Sequence, residues 1–558
     1  MIGSPSSTAE LTIDIIGTAV DKSLVGKLGV FKYMQDAEET YALGQITEIE
    51  MRNVWAQDPT MRGIIRQKGR VDPITERQDI HIAKMMVSSV FANSNRHLVP
   101  SFLGTIPATG TSIKMFDENI LNELLMDYQE ELYYLGKAYG SNIKLPMWFK
   151  HFGNEKEGVG EAYHIGIFGK TGSGKSVLAK MIVSAYARHK NMSIFVLDPQ
   201  GEFSQEFSSN EKLRKIIENQ IGRKIKIYTL QNLVFDFSET LFMDLLIASG
   251  FFNKLKITFE DHWPRFVDEA IKALNYETEH YKAFKPWEYY EEEAFKLVWN
   301  LIPDEDFLSG IIFTKAPRER VKATWYSLNK KRMYKLWAGV TNLFRYKDNS
   351  DNVRLTKLFE KTSEGNPLVI IDLSTRKKPE NLIWNDDIQL VAIQQFLSKI
   401  THQAENMYKK GGNLNSLVVI DEAHRLAPRG KIENENIARI RRIFIDAIRT
   451  TRKFGLGWMF ISQTLSSIDK EILNQIRISI FGFGLGWGTE LRSLKEIIGG
   501  AREAIRLYQN FKDPQSGLGK REYPFMTIGP ISPLSFSGTP LFFNALEYPD
   551  EFIDANFK

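Results

Sequence analysis

The stretch YHIGIFGKTGSGKSVLAKMIVSAYARH, residues 163–189, decides the fold. It begins with an apolar run, passes through the eight residues GKTGSGKS at 169–176, and ends in a segment of helix-forming residues. The eight residues match the pattern G-x-x-x-x-G-K-[ST], and a predicted strand and a predicted helix flank them as that pattern requires. The stretch therefore predicts a phosphate-binding loop, or P-loop, in an α/β protein.

The residue types in this loop suit the binding of phosphate groups. Glycines let the backbone wrap closely, so that its N–H groups can point at an anion. The start of the following helix adds partial positive charge. Lys175 is expected to reach the β and γ phosphates of ATP, and Ser176 to bind Mg²⁺. The residues predicted to contact the nucleotide here are Gly169, Lys170, Thr171, Gly172, Ser173, Gly174, Lys175, Ser176 and Val177.

Further apolar runs alternate with helical patterns on both sides of the loop. Most of these runs are continuous, as expected for parallel strands that are covered on both faces. They predict an α/β core in which the strand ends form one active edge. The predicted strands are 163–168, 193–198, 225–229, 367–372, 417–421, 457–462 and 478–484.

Polar residues follow several of these strands. Asp421 and Glu422 end the apolar run LVVI, where Asp421 can hold Mg²⁺ and Glu422 can act as the general base for the attacking water. Gln463 ends the run WMFIS and can contact the γ-phosphate or that water. Glu202, in the stretch DPQGEF, places another carboxylate at the same edge, although an ordinary Pro-Gly turn would also explain that stretch.

Residues 425–453 are strongly basic, with nine Lys or Arg against three Asp or Glu. A solvated helix face would explain such a run, but those faces usually mix both signs. Two functional uses compete. An arginine can reach the phosphates of a neighbouring subunit, and Arg449 and Arg452 are the candidates for this arginine finger. A basic loop can instead track a nucleic-acid backbone. The residues predicted to contact DNA are Arg425, Arg429 and Lys431.

The remaining parts of the chain differ from this core. Short apolar runs separated by turn residues between about 10 and 140 predict a small β-barrel or β-sandwich, with a surface excursion over 58–79 and a helix over 119–139. Residues 235–360 show helical spacing and no clear strand, which predicts an inserted helical subdomain. The predicted divisions are 1–140 for the barrel and linker helix, 141–235 and 361–530 for the ATPase core, 236–360 for the insertion and 531–558 for a closing segment.

Composition limits the possible classes of protein. The chain has 558 residues, and 72 Lys and Arg against 68 Asp and Glu leave a net charge of only +4, which excludes coating of nucleic acid by bulk charge. It contains no cysteine, which excludes disulfides and thiolate metal sites. No signal peptide and no apolar run near the ~20 residues of a membrane span is evident. We therefore expect a cytoplasmic protein without a membrane association.

The ordered motifs GKTGSGKS, DPQGEF, VVIDEAHRLAP, TRKFGLG and ISQTLSSI resemble those of HerA, the hexameric DNA-translocating ATPases of the HerA–FtsK superfamily. The resemblance covers nearly the whole chain and is sharpest over 163–203 and 415–470. It implies a RecA-like P-loop ATPase core with an N-terminal small β-barrel domain. It also implies ATP bound between the subunits of a homohexamer, with duplex DNA in the central pore.

By motif position, the resemblance implies phosphate and magnesium roles for Lys175, Ser176 and Asp421, a catalytic role for Glu422, and γ-phosphate sensing by Gln463. Family members often carry an acidic residue after the first arginine of the finger stretch, where this chain has Thr450. HerA-like proteins work with a nuclease, or a sirtuin-like effector, docked on the barrel, in DNA end processing or antiviral defence. The chain contains no nuclease motif of its own.

Two functional classes stay open at this point. In the first, the protein is a DNA translocase or helicase powered by ATP hydrolysis. In the second, it is an ATP-dependent oligomeric scaffold that assembles and activates a partner enzyme, with translocation secondary. A membrane-bound DNA pump of the same superfamily is disfavoured by the missing membrane segment, and a P-loop kinase by the missing lid motif.

Overall fold

The structure is a computed structural model, and it describes most of the chain. The described residues are 1–69, 78–94, 97–153, 158–277, 282–346, 352–360, 366–430, 432, 435–516, 519–535 and 538–557. These residues form a mixed α/β protein. No helix among them is both long enough and apolar enough to cross a membrane.

The strands are numbered in chain order. They are β1 Leu11–Asp14, β2 Leu28–Gln35, β3 Glu38–Arg52, β4 Ile80–Ser94, β5 His97–Ser101, β6 Ile113–Met115, β7 Leu132–Ala138, β8 Lys144–Trp148, β9 His164–Phe168, β10 Ser193–Asp198, β11 Ile225–Thr229, β12 Leu233–Val234, β13 Val353–Arg354, β14 Leu368–Asp372, β15 Ser416–Ile420, β16 Leu456–Ser462, β17 Ile476–Gly482, β18 Pro524–Ile528 and β19 Leu541–Ala545.

The α-helices are numbered in the same way. They are α1 Val54–Gln57, α2 Pro59–Lys68, α3 Glu118–Leu124, α4 Lys175–Ala187, α5 Glu202–Ser209, α6 Glu211–Lys215, α7 Glu239–Ala248, α8 Phe251–Leu255, α9 His262–Asn275, α10 Glu292–Leu301, α11 Glu305–Ile311, α12 Lys315–Ser327, α13 Lys330–Thr341, α14 Leu355–Glu360, α15 Asp386–Lys409, α16 Glu435–Thr451, α17 Lys470–Gln475, α18 Gly488–Ile497, α19 Arg502–Gln509 and α20 Asp550–Asn556.

The chain divides into two compact units. Unit 1 comprises 1–150, 163–186 and 459–558, and unit 2 comprises 151–162 and 187–458. The chain crosses between them several times, because the P-loop strand and helix belong to unit 1 while the basic helix α16 belongs to unit 2. The five divisions predicted from the sequence differ from these two units, and they stay predictions.

Unit 1 begins with an antiparallel sheet in the order β1-β4-β3-β2-β6, with β5 paired to β4. Its buried face includes Leu11, Phe31 and Met85. The predicted N-terminal β domain is thus present as an antiparallel sheet. Its strand β3 carries Gln45, which is 1% exposed. The Gln45 side chain forms two hydrogen bonds with β19, one as donor and one as acceptor. The Gln45 Nε2 donates to the Phe542 carbonyl at 3.1 Å, and the Phe542 amide donates to the Gln45 Oε1 at 2.9 Å.

The second sheet region of unit 1 holds the P-loop strand. Parallel strands β16, β9 and β17 lie side by side, and β9 is buried throughout. The sheet continues through antiparallel pairs from β17 to β18, β19, β7 and β8. The predicted parallel strands are confirmed, and the sequence did not predict the antiparallel extension.

Unit 2 contains four parallel strands in the order β11-β14-β10-β15. Strands β10, β14 and β15 are buried along their whole length, which is why each reads as a continuous apolar run. All four agree with predicted strands. Asp198 ends β10, Asp372 ends β14, and Asp421 follows β15 directly, so the acidic residues share one edge of these strands.

The predicted helical insertion is also confirmed in unit 2. Helices α7 to α13 pack around aromatic side chains, among which Trp337 is fully buried and lies 5.2 Å, between ring centroids, from Phe242. The Nε1 of Trp337 donates to the carbonyl of Tyr289, which satisfies its polar group inside this core. A short strand pair of β12 with β13 adds an element that the sequence did not indicate.

One prediction in the N-terminal part needs correction. The predicted helix over 119–139 is wrong from residue 132 onwards, because the chain forms β7 after α3 and a 3₁₀ helix at Met126–Glu131. In β7, Tyr133 and Leu135 are buried, and β8 and β19 satisfy the backbone hydrogen bonds on either side. The predicted surface excursion over 58–79 begins with the α-helix α2, which has no buried residue and is capped by the Asp58 side chain. Residues 70–77 of that segment lie outside the described residues.

Candidate functional site

The P-loop follows directly on β9 and leads into α4. Gly169, Gly172 and Gly174 have φ values of 154°, 82° and 87°, a region that side-chain-bearing residues rarely adopt. The loop is held to its neighbours through the backbone, since the Gly169 amide donates to Ser462 and the Lys170 amide to Phe483. The three glycines thus make a tight turn at the N-terminus of a 13-residue helix, which is the arrangement that binds phosphate.

Lys175 lies within this turn. Its side chain is 8% exposed, and its Nζ donates a 3.0 Å hydrogen bond to the carbonyl of Lys170. The ammonium group therefore lies against the loop, where it can bind the terminal phosphates of a nucleotide. Ser176, the next residue, is half-buried in the first turn of α4.

Gln463 lies against the P-loop, as its place after β16 predicted. The Oγ1 of Thr171 donates to the Oε1 of Gln463 at 2.8 Å. Gln463 is therefore positioned at the loop itself and does not merely end the strand. The hydrogen bond fixes the orientation of its amide, in which the Nε2 is the donor group.

The C-terminal segment of unit 1 also reaches the loop, which the sequence did not indicate. A Cβ added at Gly174 would lie 2.8 Å from Cδ1 of Tyr523, and one added at Gly172 would lie 2.3 Å from Nε2 of Gln515. Gly174 is thus required by a close neighbour as well as by its backbone conformation, whereas Gly172 is required by its conformation, since the flexible Gln515 side chain can shift. The sequence analysis assigned no contact with the P-loop to Tyr523 or Gln515.

The carboxylates of unit 2 form an acidic group. Asp421 is 6% exposed, and burial raises its pKa to about 7, with further contributions from Glu422, Glu202 and Asp198. Glu422 adopts a φ of 54°, and its amide donates to the Asp421 Oδ1 at 2.9 Å. A left-handed conformation costs about 1 kcal/mol or more for a residue other than glycine, and such strain occurs often at functional sites.

The end of β10 contributes to the same group. Asp198 is fully buried, and burial raises its pKa to about 6, with Asp372 as an additional cause. Its carboxylate accepts from the amides of Glu202 and Ser204 at 3.0 and 2.8 Å, so that it caps the start of α5. Glu202 itself is exposed in the first turn of α5. The structure thus confirms that these acidic residues share one strand edge.

The donor set suits Mg²⁺, which prefers oxygen ligands and usually keeps several waters and substrate phosphates in its coordination shell. In unit 2, the Asp421 carboxylate is an oxygen donor of that kind. Within the part of the chain that the structure describes, no three His, Cys, Asp or Glu side chains are grouped to hold a metal by themselves. A magnesium ion here would depend on the phosphates of the nucleotide.

His424 is a neighbour of the acidic pair that the sequence analysis did not select. It lies in the 3₁₀ turn Ala423–Arg425, with its Nε2 3.5 Å from the Oε2 of Glu422. Burial lowers the pKa of His424, which the nearby Glu422 opposes. The imidazole is a candidate for orienting the Glu422 carboxylate.

The two candidate finger arginines have different environments. Arg449 is exposed in the last turn of α16. Arg452 follows in a 3₁₀ turn, where its Nε donates to the Ala162 carbonyl at 3.4 Å and a guanidinium nitrogen lies 3.6 Å from the Oε2 of Glu161. Arg452 is therefore bound to the segment that precedes the P-loop strand.

The predicted DNA contacts also differ. Arg425 pairs with Asp386 at 3.0 Å and donates to Gln389 at 3.3 Å, which ties the 3₁₀ turn to α15. Arg429 is exposed, and Lys431 lies outside the described residues. In the same basic region, Arg439 forms an ion pair with Asp244 of the insertion helix α7. Several of the nine basic residues are thus bound by the protein itself.

Comparison with known proteins agrees with this site. Residues 162–401 match the family model described as the central domain of helicase HerA. No curated protein matches the chain.

Solved structures with a similar chain path include VirB4 of Thermoanaerobacter pseudethanolicus, at 13% identity and a TM-score of 0.39, covering 75% of this chain and 97% of that one. They include the genome packaging NTPase B204 of Sulfolobus turreted icosahedral virus 2 in complex with AMPPCP, at 12% identity and a TM-score of 0.28, covering 69% and 98%. They also include the pCW3 conjugation coupling protein TcpA, at 12% identity and a TM-score of 0.27, covering 95% and 90%.

The P-loop geometry and the family match lead to the same assignment. Strand, glycine turn, Lys175 and helix form an ATP-binding P-loop, and the matched residues 162–401 contain all of them. The chain is therefore a P-loop ATPase whose residues 162–401 match the central domain of helicase HerA.

Proposed function

We propose that this ATPase translocates duplex DNA through the pore of a homohexameric ring and supplies a partner nuclease or other effector with its substrate. The observation that carries the proposal is the match of 162–401 to the central domain of helicase HerA, together with a P-loop in binding geometry. The order of motifs along the chain supports it further.

The phosphate-binding residues have separate tasks. Lys175 and the helix start of α4 neutralise the β and γ phosphates. Ser176 and Asp421 would hold Mg²⁺, which when bound withdraws charge from those phosphates. Gln463, oriented by Thr171, presents its Nε2 for the γ-phosphate or the attacking water.

Glu422 is the proposed general base. Its task is to accept a proton from the attacking water, for which its carboxylate must be ionised and correctly oriented. The left-handed backbone at Glu422 and the His424 imidazole 3.5 Å from its carboxylate both support an imposed orientation. His424 is a positioning residue in this scheme.

Arg449 is the proposed arginine finger, acting on the ATP of the neighbouring subunit. Its exposed position in the last turn of α16 supports this choice. A finger supplied from outside makes hydrolysis depend on ring assembly, because an isolated subunit lacks the charge that stabilises the transition state.

Duplex DNA would contact the ring through its phosphates, with Arg429 the best-placed of the predicted contacts and Lys431 beside it in sequence. For the partner effector we propose docking on the N-terminal sheet domain. Phe102 and Met126 of unit 1 support this, since they are 73% and 71% exposed. The identity of that partner would decide between the two proposed roles, which are DNA end processing and antiviral defence.

The test is the rate of ATP hydrolysis by the size-fractionated oligomer, with and without linear duplex DNA. We expect strong stimulation by DNA in a ring-sized species, and loss of turnover in Glu422→Gln with nucleotide binding kept. The matched acidic control is Glu211→Gln, which changes an 82% exposed side chain of unit 2 and should behave as wild type. Hydrolysis that is indifferent to DNA and begins only when another protein is added would favour the scaffold function.

A further inference from the structure

A cavity of about 460 Å³ lies beside the P-loop, entirely within unit 1. Gly174 and Val177 line one side of it, and Tyr523 and Tyr548 are among the residues that line the remainder. Its volume falls within the ~300–1,000 Å³ that is typical of small-molecule sites. The cavity therefore adjoins the P-loop, and it is large enough for part of a ligand that binds there.

The charges around this cavity balance each other. The Nζ of Lys520 lies 2.7 Å from the Oε2 of Glu547, and the Nζ of Lys137 lies 2.6 Å from the Oε1 of Glu551. Arg521 and Glu522, which also line it, are of opposite sign. A cavity with paired charges does not favour additional phosphate groups, whereas Lys175 and the helix start next to it do. It suits the uncharged part of a nucleotide.

Tyr523 provides an aromatic surface at the junction of loop and cavity. Its ring is half-buried and adjoins Gly174, where an added Cβ would lie 2.8 Å from its Cδ1. Tyr548, by contrast, already packs against Phe552 with 6.0 Å between ring centroids. Aromatic rings bind nucleobases by stacking, with little dependence on the base.

We propose that this cavity holds the base and ribose of the nucleotide whose phosphates bind the P-loop, with the base stacked on Tyr523. The inference rests on the ATPase assignment and adds the residues that recognise the nucleoside. Because stacking is tolerant of the base, Tyr523 contributes affinity for nucleotides generally rather than a choice of adenine over guanine.

The experiment compares ATP with inorganic tripolyphosphate, which carries the phosphates without the nucleoside. Equilibrium binding of each is measured by calorimetry in the presence of Mg²⁺ on the full-length oligomer. For Tyr523→Ala we expect about tenfold weaker binding of ATP and unchanged binding of tripolyphosphate, while Tyr523→Phe, which keeps the ring, stays within about twofold of wild type. Tyr326→Ala removes a 76% exposed tyrosine elsewhere and is the matched control.

A second variant tests the same cavity independently, in case Tyr523→Ala does not fold. Asn142 is exposed at the cavity, so Asn142→Trp fills it without disturbing the core, and we expect weaker ATP binding with tripolyphosphate unaffected. Equal weakening of both ligands, or unchanged ATP binding in both variants, would overturn the proposal. Lys175→Ala should weaken both ligands; if it weakens neither, the P-loop assignment fails, which is a different result.

Discussion

Thr171 Oγ1 donates a 2.8 Å hydrogen bond to Gln463 Oε1, and this bond joins the P-loop to the end of strand β16. The two residues are 292 positions apart in the chain. Because the amide oxygen accepts from Thr171, the amide nitrogen is the group that can donate to the γ-phosphate or the attacking water. The P-loop therefore orients the residue that is proposed to sense its ligand.

This relationship predicts that the two side chains act as a unit. Gln463→Ala should lower kcat about a hundredfold while ATP binding changes little, as when a transition-state donor is removed. Thr171→Val should lower kcat less, because it removes the hydrogen bond that orients Gln463 but leaves the Gln463 side chain in place. Steady-state kinetics of the two single variants and the double variant check this. Additive effects would show that the hydrogen bond has no catalytic consequence.

Arg449 is expected to act on the neighbouring subunit. Arg449→Ala should abolish hydrolysis while leaving ATP binding intact, because the lost charge is needed only in the transition state. When this variant is mixed with Lys175→Ala, which keeps Arg449 but lacks a working P-loop, some interfaces combine the two intact halves. At equal amounts, activity should recover to about a quarter of wild type. Mixing that restores nothing would contradict action between subunits, and Arg452→Ala mixed in the same way serves as the comparison.

Alanine variants of Arg425 and Arg429 should have different effects, one on protein stability and the other on DNA affinity. Arg429→Ala should weaken binding of duplex DNA and reduce the slope of log affinity against log salt by about one, as expected for one lost phosphate contact. Arg425→Ala removes the pair with Asp386, so it should lower thermal stability and leave the salt slope unchanged. Fluorescence anisotropy at several salt concentrations measures both. An unchanged slope for Arg429→Ala would remove it from the DNA contacts.

The ion pair between Arg439 and Asp244 ties the basic helix α16 to the insertion. The Asp244 side chain is 1% exposed, and its Oδ1 has no hydrogen-bond partner among the described residues. Removing one member of a buried pair leaves an uncompensated charge, so Arg439→Ala should cost about 3 kcal/mol of stability. Adding Asp244→Leu to this variant should recover most of that loss, which urea unfolding can measure.

The same pair predicts a pH dependence. Burial raises the pKa of Asp244, and Arg439 opposes the rise, so Arg439→Ala should raise this pKa further. The folded variant then holds a proton at pH values where the unfolded chain has released it. Its stability deficit should be largest at high pH and shrink as pH falls towards the raised pKa. Equal deficits in mildly alkaline and mildly acidic buffer would show that Asp244 stays ionised without its partner.

The sequence predicted the parallel strands and the P-loop because both depend on local patterns. Continuous apolar runs mark strands that are covered on both faces, and G-x-x-x-x-G-K-S specifies a loop through its own backbone. Gln463 was predictable as well, since the ends of parallel strands in one sheet meet at one edge.

The errors arose where distant partners decide the local structure. The segment 132–138 is a strand because β8 and β19 pair with it, and β19 lies close to the other end of the chain. Tyr523 and Gln515 reach the P-loop for the same reason, and no local pattern marks them. The contact of Arg425 with Asp386 likewise depends on the packing of α15, and its role as a DNA contact stays a prediction.

The two hydrogen bonds between Gln45 and Phe542 have a consequence for synthesis of the chain. Gln45 leaves the ribosome 497 residues before the position whose backbone satisfies its buried amide. The N-terminal sheet must therefore wait, with one polar group unsatisfied or hydrated, until β19 emerges. The sheet that contains Gln45 can therefore reach its final form only after a further 497 residues of the chain have been synthesised.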